Sequence, residues 1–456
     1  MVSGRFLARR TPGLRTAREA LIDGHVSAVN LTSHALGVAE ASQRTVKAFA
    51  TLASESALAA AAESDRRYAM GIARPLEGLP IGVKDLIDTR GIETRYGSAA
   101  YLGHVPSADA AVVRTLVDQG AIIIGKTTTH EFAWGVTTAS DAFGDTLNPL
   151  DTQRIAGGSS GGAAAAIAYG AVAAGLGTDT GGSVRIPAAL CGVVGFKPSY
   201  GSLPTEGIFA LAPSLDHPGL LGASVSDVML LAAALDITRS DHPPAAPPRF
   251  GVIRHVEPVP MSAEVATAFE RAVATVGRAY GCEDIDCAGL FDGAFQAFAG
   301  IVLTEGGITH FARNDWDFIA QHYGAETVDR LNRAGSVVLS DYAQWQHTRR
   351  QFNARLSRAM ANVDYLLLPT SPCLAPSVGE SAISIGGWSG TVREALMTYT
   401  APFNLAGFPA ISIPLPRHRN PLPSALQIVA RPGDDTGLLQ LAAKLERLLA
   451  KTTIAA

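Results

Sequence analysis

Four cysteines in 456 residues, Cys191, Cys282, Cys287 and Cys373, are too few and too scattered for a disulfide framework. Cys282 and Cys287 bracket Glu283-Asp284-Ile285-Asp286, but this is not the spacing of a zinc CxxC pair and no His cluster follows. No metal site is therefore expected, and reduced thiols in a cytoplasmic protein are the simpler account. Long apolar runs are missing as well. The longest weakly polar stretch, Ala163 to Leu176, is shorter than the roughly 20 residues that cross a bilayer and contains Gly170 and Gly175, so no membrane partner is expected. No charge of one sign prevails: the net charge of −4 carries no basic footprint for nucleic acid or an anionic surface. The N-terminus has no apolar signal-peptide core. Its Arg5, Arg9, Arg10, Arg15 and Arg18, with no acid before Glu19, leave a transit peptide open.

What the chain does have is core-forming material. It is 47% hydrophobic and only 17% charged, which suits an enzyme-sized protein with a large buried interior. Residues 14–67 read as helices, from the spacing of Leu14, Ala17, Leu21, Val29, Leu31 and Leu36 and the alanine run 57–62. From residue 78 the pattern changes. Pro80-Ile81-Gly82-Val83 and Ala121–Ile124 read as buried strands with a helix over Ala110–Val117 between them. Further strands are expected at Phe250–Ile253, Tyr365–Leu368 and Ala410–Ile413, and a closing amphipathic helix over Leu438–Leu449. Alternation of this kind implies an α/β fold in one domain spanning 1–456, with a sheet covered by helices. Within it, 1–13 reads as an N-terminal extension, 75–225 carries the chemistry-bearing motifs, and 250–345 reads as a less regular, mobile region. The proline-rich stretch His242–Pro248 marks a surface crossover.

The chemistry concentrates in two glycine-rich turns and one lysine. Gly157-Gly158-Ser159-Ser160-Gly161-Gly162 and Gly177-Thr178-Asp179-Thr180-Gly181-Gly182-Ser183-Val184-Arg185 place two serines, Ser159 and Ser183, 24 positions apart. A serine hydroxyl attacks a carbonyl only when a base removes its proton and donors receive the developing oxyanion. In Thr180-Gly181-Gly182-Ser183, two residues without side chains let backbone N–H groups approach a bound carbonyl. Alone, such a turn is commonplace. Lys84 in Leu79-Pro80-Ile81-Gly82-Val83-Lys84-Asp85 changes the weighting, because a lysine buried among Ile81, Val83 and Leu86 can lose its proton. Half-neutrality at pH 7 needs a pKa lowered by about 3.4 units, or about 4.6 kcal/mol. The competing arrangement is an ion pair with the adjacent Asp85, which would keep the lysine charged.

These motifs resemble the amidase signature family, whose members hydrolyse carbon–nitrogen amide bonds. Cys191-Gly192-Val193-Val194-Gly195-Phe196-Lys197-Pro198-Ser199, Asn404-Leu405-Ala406-Gly407-Phe408-Pro409-Ala410 and Leu422-Pro423-Ser424-Ala425-Leu426-Gln427 are similar to its further landmarks. The resemblance thus runs from about residue 14 to 450. It implies a single α/β/α domain around a mixed sheet of about eleven strands, with Lys84 as base, Ser159 as a bridge reached through a cis Gly158–Ser159 peptide, and Ser183 as nucleophile. The oxyanion donors would be backbone groups of Thr180, Gly181, Gly182 and Ser183. No metal or organic cofactor is implied, and the partner is a small-molecule amide. Ser160 is expected to hydrogen-bond locally. Asp179 and Arg185 either brace the turn or, if the segment is extended so that 183 and 185 share a face, present Arg185 to a substrate carboxylate.

Other readings stay open beside this one. Gly157–Gly161 also fits the G-x-S-x-G elbow of α/β-hydrolases, which would make Ser159 the nucleophile with Asp216-His217 or His310 in support. A phosphate-binding loop lacks its Lys-Ser/Thr pair. The family's amidotransferase branch, the A-type subunit of the glutamyl-tRNA amidotransferase, generates ammonia only within a complex, so a partner subunit stays open. Leu215-Asp216-His217-Pro218-Gly219 and Ser202 depart from that branch's pattern and favour a free-standing amidase. Leu215–His217 and Thr304-Glu305-Gly306-Gly307 are similar to hydrolases of carboxybiuret and related ureido acids. Phe132, Trp134 and Trp388 instead offer walls for an aromatic or aliphatic acyl group, and 385–395, with Arg393, is the candidate specificity loop. A homodimer is the default for a soluble enzyme.

Overall fold

Strand alternation organises the molecule around two apolar layers. Leu367, Ile411 and Ile428 pack into one core cluster while Leu366, Leu368 and Val429, their neighbours in the same strands, pack into the other. The computed structural model describes residues 10–237, 247–417 and 421–452. Its centre is one eleven-stranded sheet. From edge to edge the strands are Phe49–Leu52, Ile122–Thr127, Pro80–Lys84, Ala174–Thr178, Pro218–Gly222, Val194–Lys197, Ala410–Pro414, Ala425–Ala430, Tyr365–Pro369, Phe250–Val252 and Glu283–Asp284. The sheet is mixed. Pro80–Lys84 runs parallel to both its neighbours, and Phe250–Val252 does the same near the far edge. The strands between pair antiparallel. This matches the expected α/β architecture and strand number.

Two layers of helix cover the sheet. On one side the fully buried Gly161–Ala168 stretch of the helix Gly161–Tyr169 offers almost only glycine and alanine, so it can lie close against the strands. On the other side Ala294–Phe311 and Leu339–Ala359 enclose the second apolar layer. The closing helix extends from Asp435 to Thr452.

Two expectations need correction. Residues 14–67 are not all helical: between Ala28–Gln43 and Ser54–Ala69 the strand Phe49–Leu52 pairs with Ile122–Thr127. The Gln43 side chain holds its first residue through both the N–H and the carbonyl of Phe49. Residues 250–345 are not irregular, being built largely of the helices Ala263–Tyr280, Ala294–Phe311, Trp316–His322 and Ala325–Ala334. Their apolar faces supply Phe298, Ile301, Ile319 and Leu331 to the second core layer. Most of the N-terminal extension and residues 242–246 of the proline-rich stretch lie outside the described residues. Arg15 and Arg18 belong to the helix Leu14–Ile22. No helix among the described residues is long and apolar enough to cross a membrane.

Candidate functional site

Strand geometry decides where Lys84 points. Ile81 and Val83 enter the first core layer, so Lys84 emerges on the opposite face at the C-terminal end of its strand, wholly buried. Its Nζ lies 2.8 Å from Ser159 Oγ and 2.7 Å from Thr178 Oγ1 on the neighbouring strand. Among the described residues no carboxylate pairs with it. Burial pushes the ammonium down to about 7, against the opposing pull of Asp179 and Asp216. The adjacent Asp85 faces the other way, accepting from the N–H of Arg95 and Gly97. Its charge partner is Lys126, which is itself held by Thr89 and Thr94. The ion pair weighed between Lys84 and Asp85 does not form.

Ser159 follows a cis Gly158–Ser159 peptide. Ser160 is locally engaged: its Oγ donates to the Thr178 carbonyl at 3.1 Å and its N–H to the Ser183 carbonyl at 3.0 Å, which ties the two glycine-rich turns together. The second turn runs against side chains that leave no room for a Cβ. One built on Gly181 would stand 2.3 Å from Phe298 Cζ, and one on Gly182, where φ is +125°, 2.1 Å from Thr400 Oγ1. Thr180 is anchored by its hydroxyl to Asp216 Oδ1 at 2.6 Å. Asp216 also accepts from the Leu211 and Ala212 N–H groups.

The expected oxyanion donors are reduced by one. The Gly182 N–H is spent on Asp179 Oδ1 at 2.8 Å. Those of Thr180, Gly181 and Ser183 donate to no group among the described residues.

Arg185 is not extended beside Ser183 but begins the helix Arg185–Cys191, fully buried. Its side chain makes five hydrogen bonds. Nε and Nη2 clasp the two Asp179 oxygens at 3.0 and 2.9 Å, Nη1 reaches Gln427 Oε1 and the Thr400 carbonyl, and Nη2 also reaches Asn404 Oδ1. All five of its N–H donors are thus engaged within the protein, as a brace of the turn requires. Burial alone would raise the Asp179 carboxyl, but Arg185 overrides it and holds Asp179 far below the usual carboxylate range. Asn404 completes the knot by donating to both the carbonyl and the carboxylate of Asp179.

A narrow cleft opens onto Ser183. Trp134 and its neighbours from Ala133 to Val136 form one wall, Phe298 and Val302 another, and Arg393 and Met397 a third. The expected specificity loop is a hairpin, Ala382–Ile385 with Trp388–Thr391, followed by the helix Val392–Thr398. Arg393 and Met397 sit four apart on that helix and therefore share its cleft-facing side. Trp388 remains in the hairpin and Phe132 lies among Tyr101, Phe209, His310 and Tyr323, so neither lines the cleft. Gly306 packs under Trp134, while Glu305 holds Ser214 and Tyr342.

The elbow reading finds no support. His217 Nδ1 faces the Leu215 carbonyl, Asp216 serves Thr180, and His310 is enclosed by aromatic rings; none of the three hydrogen-bonds Ser159.

Residue patterns alone gave no role to Thr178, Asn404 or Gln427, and weighed Asp216 only as an elbow partner of Ser159. Thr178 was the most accessible, since it stands in the second turn on the strand beside that of Lys84. The others converge only through sheet order.

A family model described as Amidase matches residues 30–439. The chain is 34% identical over 478 residues to the A-type subunit of the glutamyl-tRNA(Gln) amidotransferase of Chloroflexus aggregans, covering 95% of both. It is 35% identical to the same subunit of Myxococcus xanthus, covering 94% of this chain and 95% of the relative. Among solved structures, an amidase superposes with a TM-score of 0.90 at 34% identity, covering 96% of this chain and all of the other. A 6-aminohexanoate cyclic dimer hydrolase complexed with substrate superposes with a TM-score of 0.84 at 27% identity, covering 96% and 97%.

Proposed function

Because the chain belongs to the amidase signature family, we propose that Lys84, Ser159 and Ser183 are the triad with which it hydrolyses the carbon–nitrogen bond of a small amide. The observation that carries this reading is the 2.8 Å contact of Lys84 Nζ with Ser159 Oγ, made by a fully buried lysine that pairs with no carboxylate among the described residues. A lysine with a pKa of about 7 is half neutral at physiological pH and can accept a proton.

In the proposed sequence, Ser159 passes its proton to Lys84 and takes the proton of Ser183, whose oxygen attacks the amide carbonyl. The oxyanion accepts from the N–H groups of Thr180, Gly181 and Ser183. Donors fixed in advance of the reaction are worth roughly 3–4 kcal/mol apiece in such a setting. Collapse of the tetrahedral adduct breaks the C–N bond as Ser159 protonates the leaving nitrogen and regains its own proton from Lys84. Water then attacks the Ser183 ester by the same relay and releases the acid. Asp179, Arg185, Asn404 and Asp216 position the turn and touch no reacting atom.

Ammonia or amine release by the purified chain tests the reading. Ser183→Ala should abolish turnover in a folded protein, and Lys84→Ala should reduce it by several orders of magnitude. Near-normal activity in Ser183→Ala beside an inactive Ser159→Ala would overturn it.

A second reading rests on the amidotransferase relatives, which match nearly the whole chain. On that reading the same triad is a glutaminase that works with a partner subunit. Glutamine-dependent ammonia release that appears only when a partner is added would establish it.

A further inference from the structure

The wall of the cleft opposite the Ser183 turn carries more positive charge than the protein neutralises. Arg393 lines the cleft together with Ser183, and among the described residues its guanidinium makes neither a hydrogen bond nor an ion pair. Arg330 lies 5.9 Å over the Trp134 ring, whose edge is another part of the lining. It spends Nη2 on Glu326, and its Nη1 is buried with no partner. Glu326 is the acid that faces this group, and it is already engaged on both oxygens: Oε1 takes Arg330 and Oε2 lies 3.1 Å from His130 Nε2. Arg333 pairs with Asp329 instead, on the exposed side of its helix. Arg393 therefore stands unpaired at a cleft whose other walls include Trp134, Phe298, Val302 and Met397, with the Arg330 guanidinium over the Trp134 ring.

The Arg330 Nη1 has lost water without gaining a partner, and the half-buried Arg393 guanidinium is open to a counter-ion from the cleft. Guanidinium also suits a carboxylate better than any other common group, through two parallel N–H···O bonds. Apolar walls around it strengthen the pairing by keeping water out.

We infer that the substrate of the Ser183 site is a small amide bearing a carboxylate, held by the Arg393 guanidinium, with the charge of Arg330 over the Trp134 ring in support. This rests on the triad reading and names its substrate class. With both Glu326 oxygens in use, the lining has no acid free to receive an ammonium group. A simple acid amide or ureido acid fits it better than an α-amino acid amide. Arg185, by contrast, is saturated and contributes nothing to this recognition.

The test uses the full chain and two independent readouts. Ammonia release is measured with succinamate and glutaramate, with the uncharged amides of the same length, and with glutamine, whose α-ammonium separates the two kinds of acid. The better carboxylate substrate should exceed its neutral counterpart by about 10²-fold or more in kcat/KM. It should also exceed glutamine. Arg393→Met should bring the charged-to-neutral ratio below about ten, with Arg393→Lys intermediate because it keeps the charge and loses the fork.

Binding of succinate and glutarate to Ser183→Ala, by calorimetry, should weaken at least tenfold when Arg393→Met is added. Preference for neutral amides, or a ratio and an affinity that Arg393→Met does not move, would overturn the inference and leave the triad standing. If the chain alone turns over no amide, the free-standing reading gives way to the partner-dependent one, and dicarboxylate binding to Ser183→Ala still decides this inference.

Discussion

Replacing Arg185 with methionine separates a brace from a substrate grip more sharply than any other single change. Methionine keeps an unbranched apolar stem of similar reach, so the main loss is the guanidinium. Five hydrogen bonds vanish, and the Asp179 carboxylate, which is wholly buried, is left without its cation. It would still accept from the Gly182 and Val184 N–H groups and from Asn404, which limits the damage. Breaking one side of a buried pair costs about 3–5 kcal/mol. A chain of this length has an unfolding entropy of ~1 kcal/mol/K near its midpoint, so Tm should fall by about 3–5 °C if it unfolds as one unit. The pH dependence has a definite sign. The native Asp179 pKa is depressed, so its contribution to stability is present above the unfolded value of about 3.9 and is lost as pH falls through the folded value. The gap between Arg185→Met and the parent should therefore be full at pH 6–8 and narrow below about pH 4. Calorimetry or denaturant titration across that range reads it, with kcat and KM measured alongside. Turnover should fall through kcat, because the Asp179 carboxylate fixes the Gly182 N–H and with it the turn. An unchanged Tm with a raised KM would refute the brace and return Arg185 to the substrate.

Three further outcomes follow from the same geometry. The acid limb of kcat/KM should rise to a plateau through about pH 7 as Lys84 loses its proton, and Lys84→Arg, which cannot deprotonate, should be inactive. Because burial lowers the Lys84 pKa, the stability penalty is full below about pH 7 and fades as pH rises toward 10.4; Lys84→Met should gain stability most clearly at pH 6, as thermal melts would show. Gly181→Ala should cut activity by 10²-fold or more and cost about 1–3 kcal/mol of stability, since the new methyl group meets the buried Phe298 ring and the end of Met397 in the cleft itself. A Gly181→Ala enzyme with parental kinetics would show that the cleft has been misplaced.

Much of this site was legible in the residue pattern because its parts are local. Lys84 follows an alternating apolar run that fixes its face, and both serines sit in turns marked by paired glycines. The sheet that joins them was legible as a type, with buried strands at 80–84, 122–127, 365–369 and 410–414 announced by short apolar runs. What could not be read was pairing across distance. Asn404 and Gln427 reach Arg185 from 219 and 242 positions away, through the order of strands rather than through spacing. The reading of Arg185 turned on whether residues 183–185 are extended, which sequence leaves open; in the structure a helix begins at Arg185. Spacing likewise showed Thr180–Ser183 as a row of potential donors but not that Asp179 folds back to occupy the Gly182 N–H. The irregular reading of 250–345 overlooked the helical spacing of Val265, Phe269, Ala272 and Val276, and Ala294–Phe311 hid its regularity by burying glycines, Glu305 and His310 among its apolar residues.

Everything proposed for the site turns on which serine carries the acyl group. Mixing the enzyme with a slowly deacylating amide or activated ester, quenching in acid, and mapping the adduct by peptide mass spectrometry reads this directly. The expected result is an adduct of the acyl mass on Ser183, absent from Ser183→Ala and formed far more slowly in Lys84→Ala. An adduct on Ser159, or turnover with no serine adduct under conditions where acylation outpaces its hydrolysis, would contradict the triad.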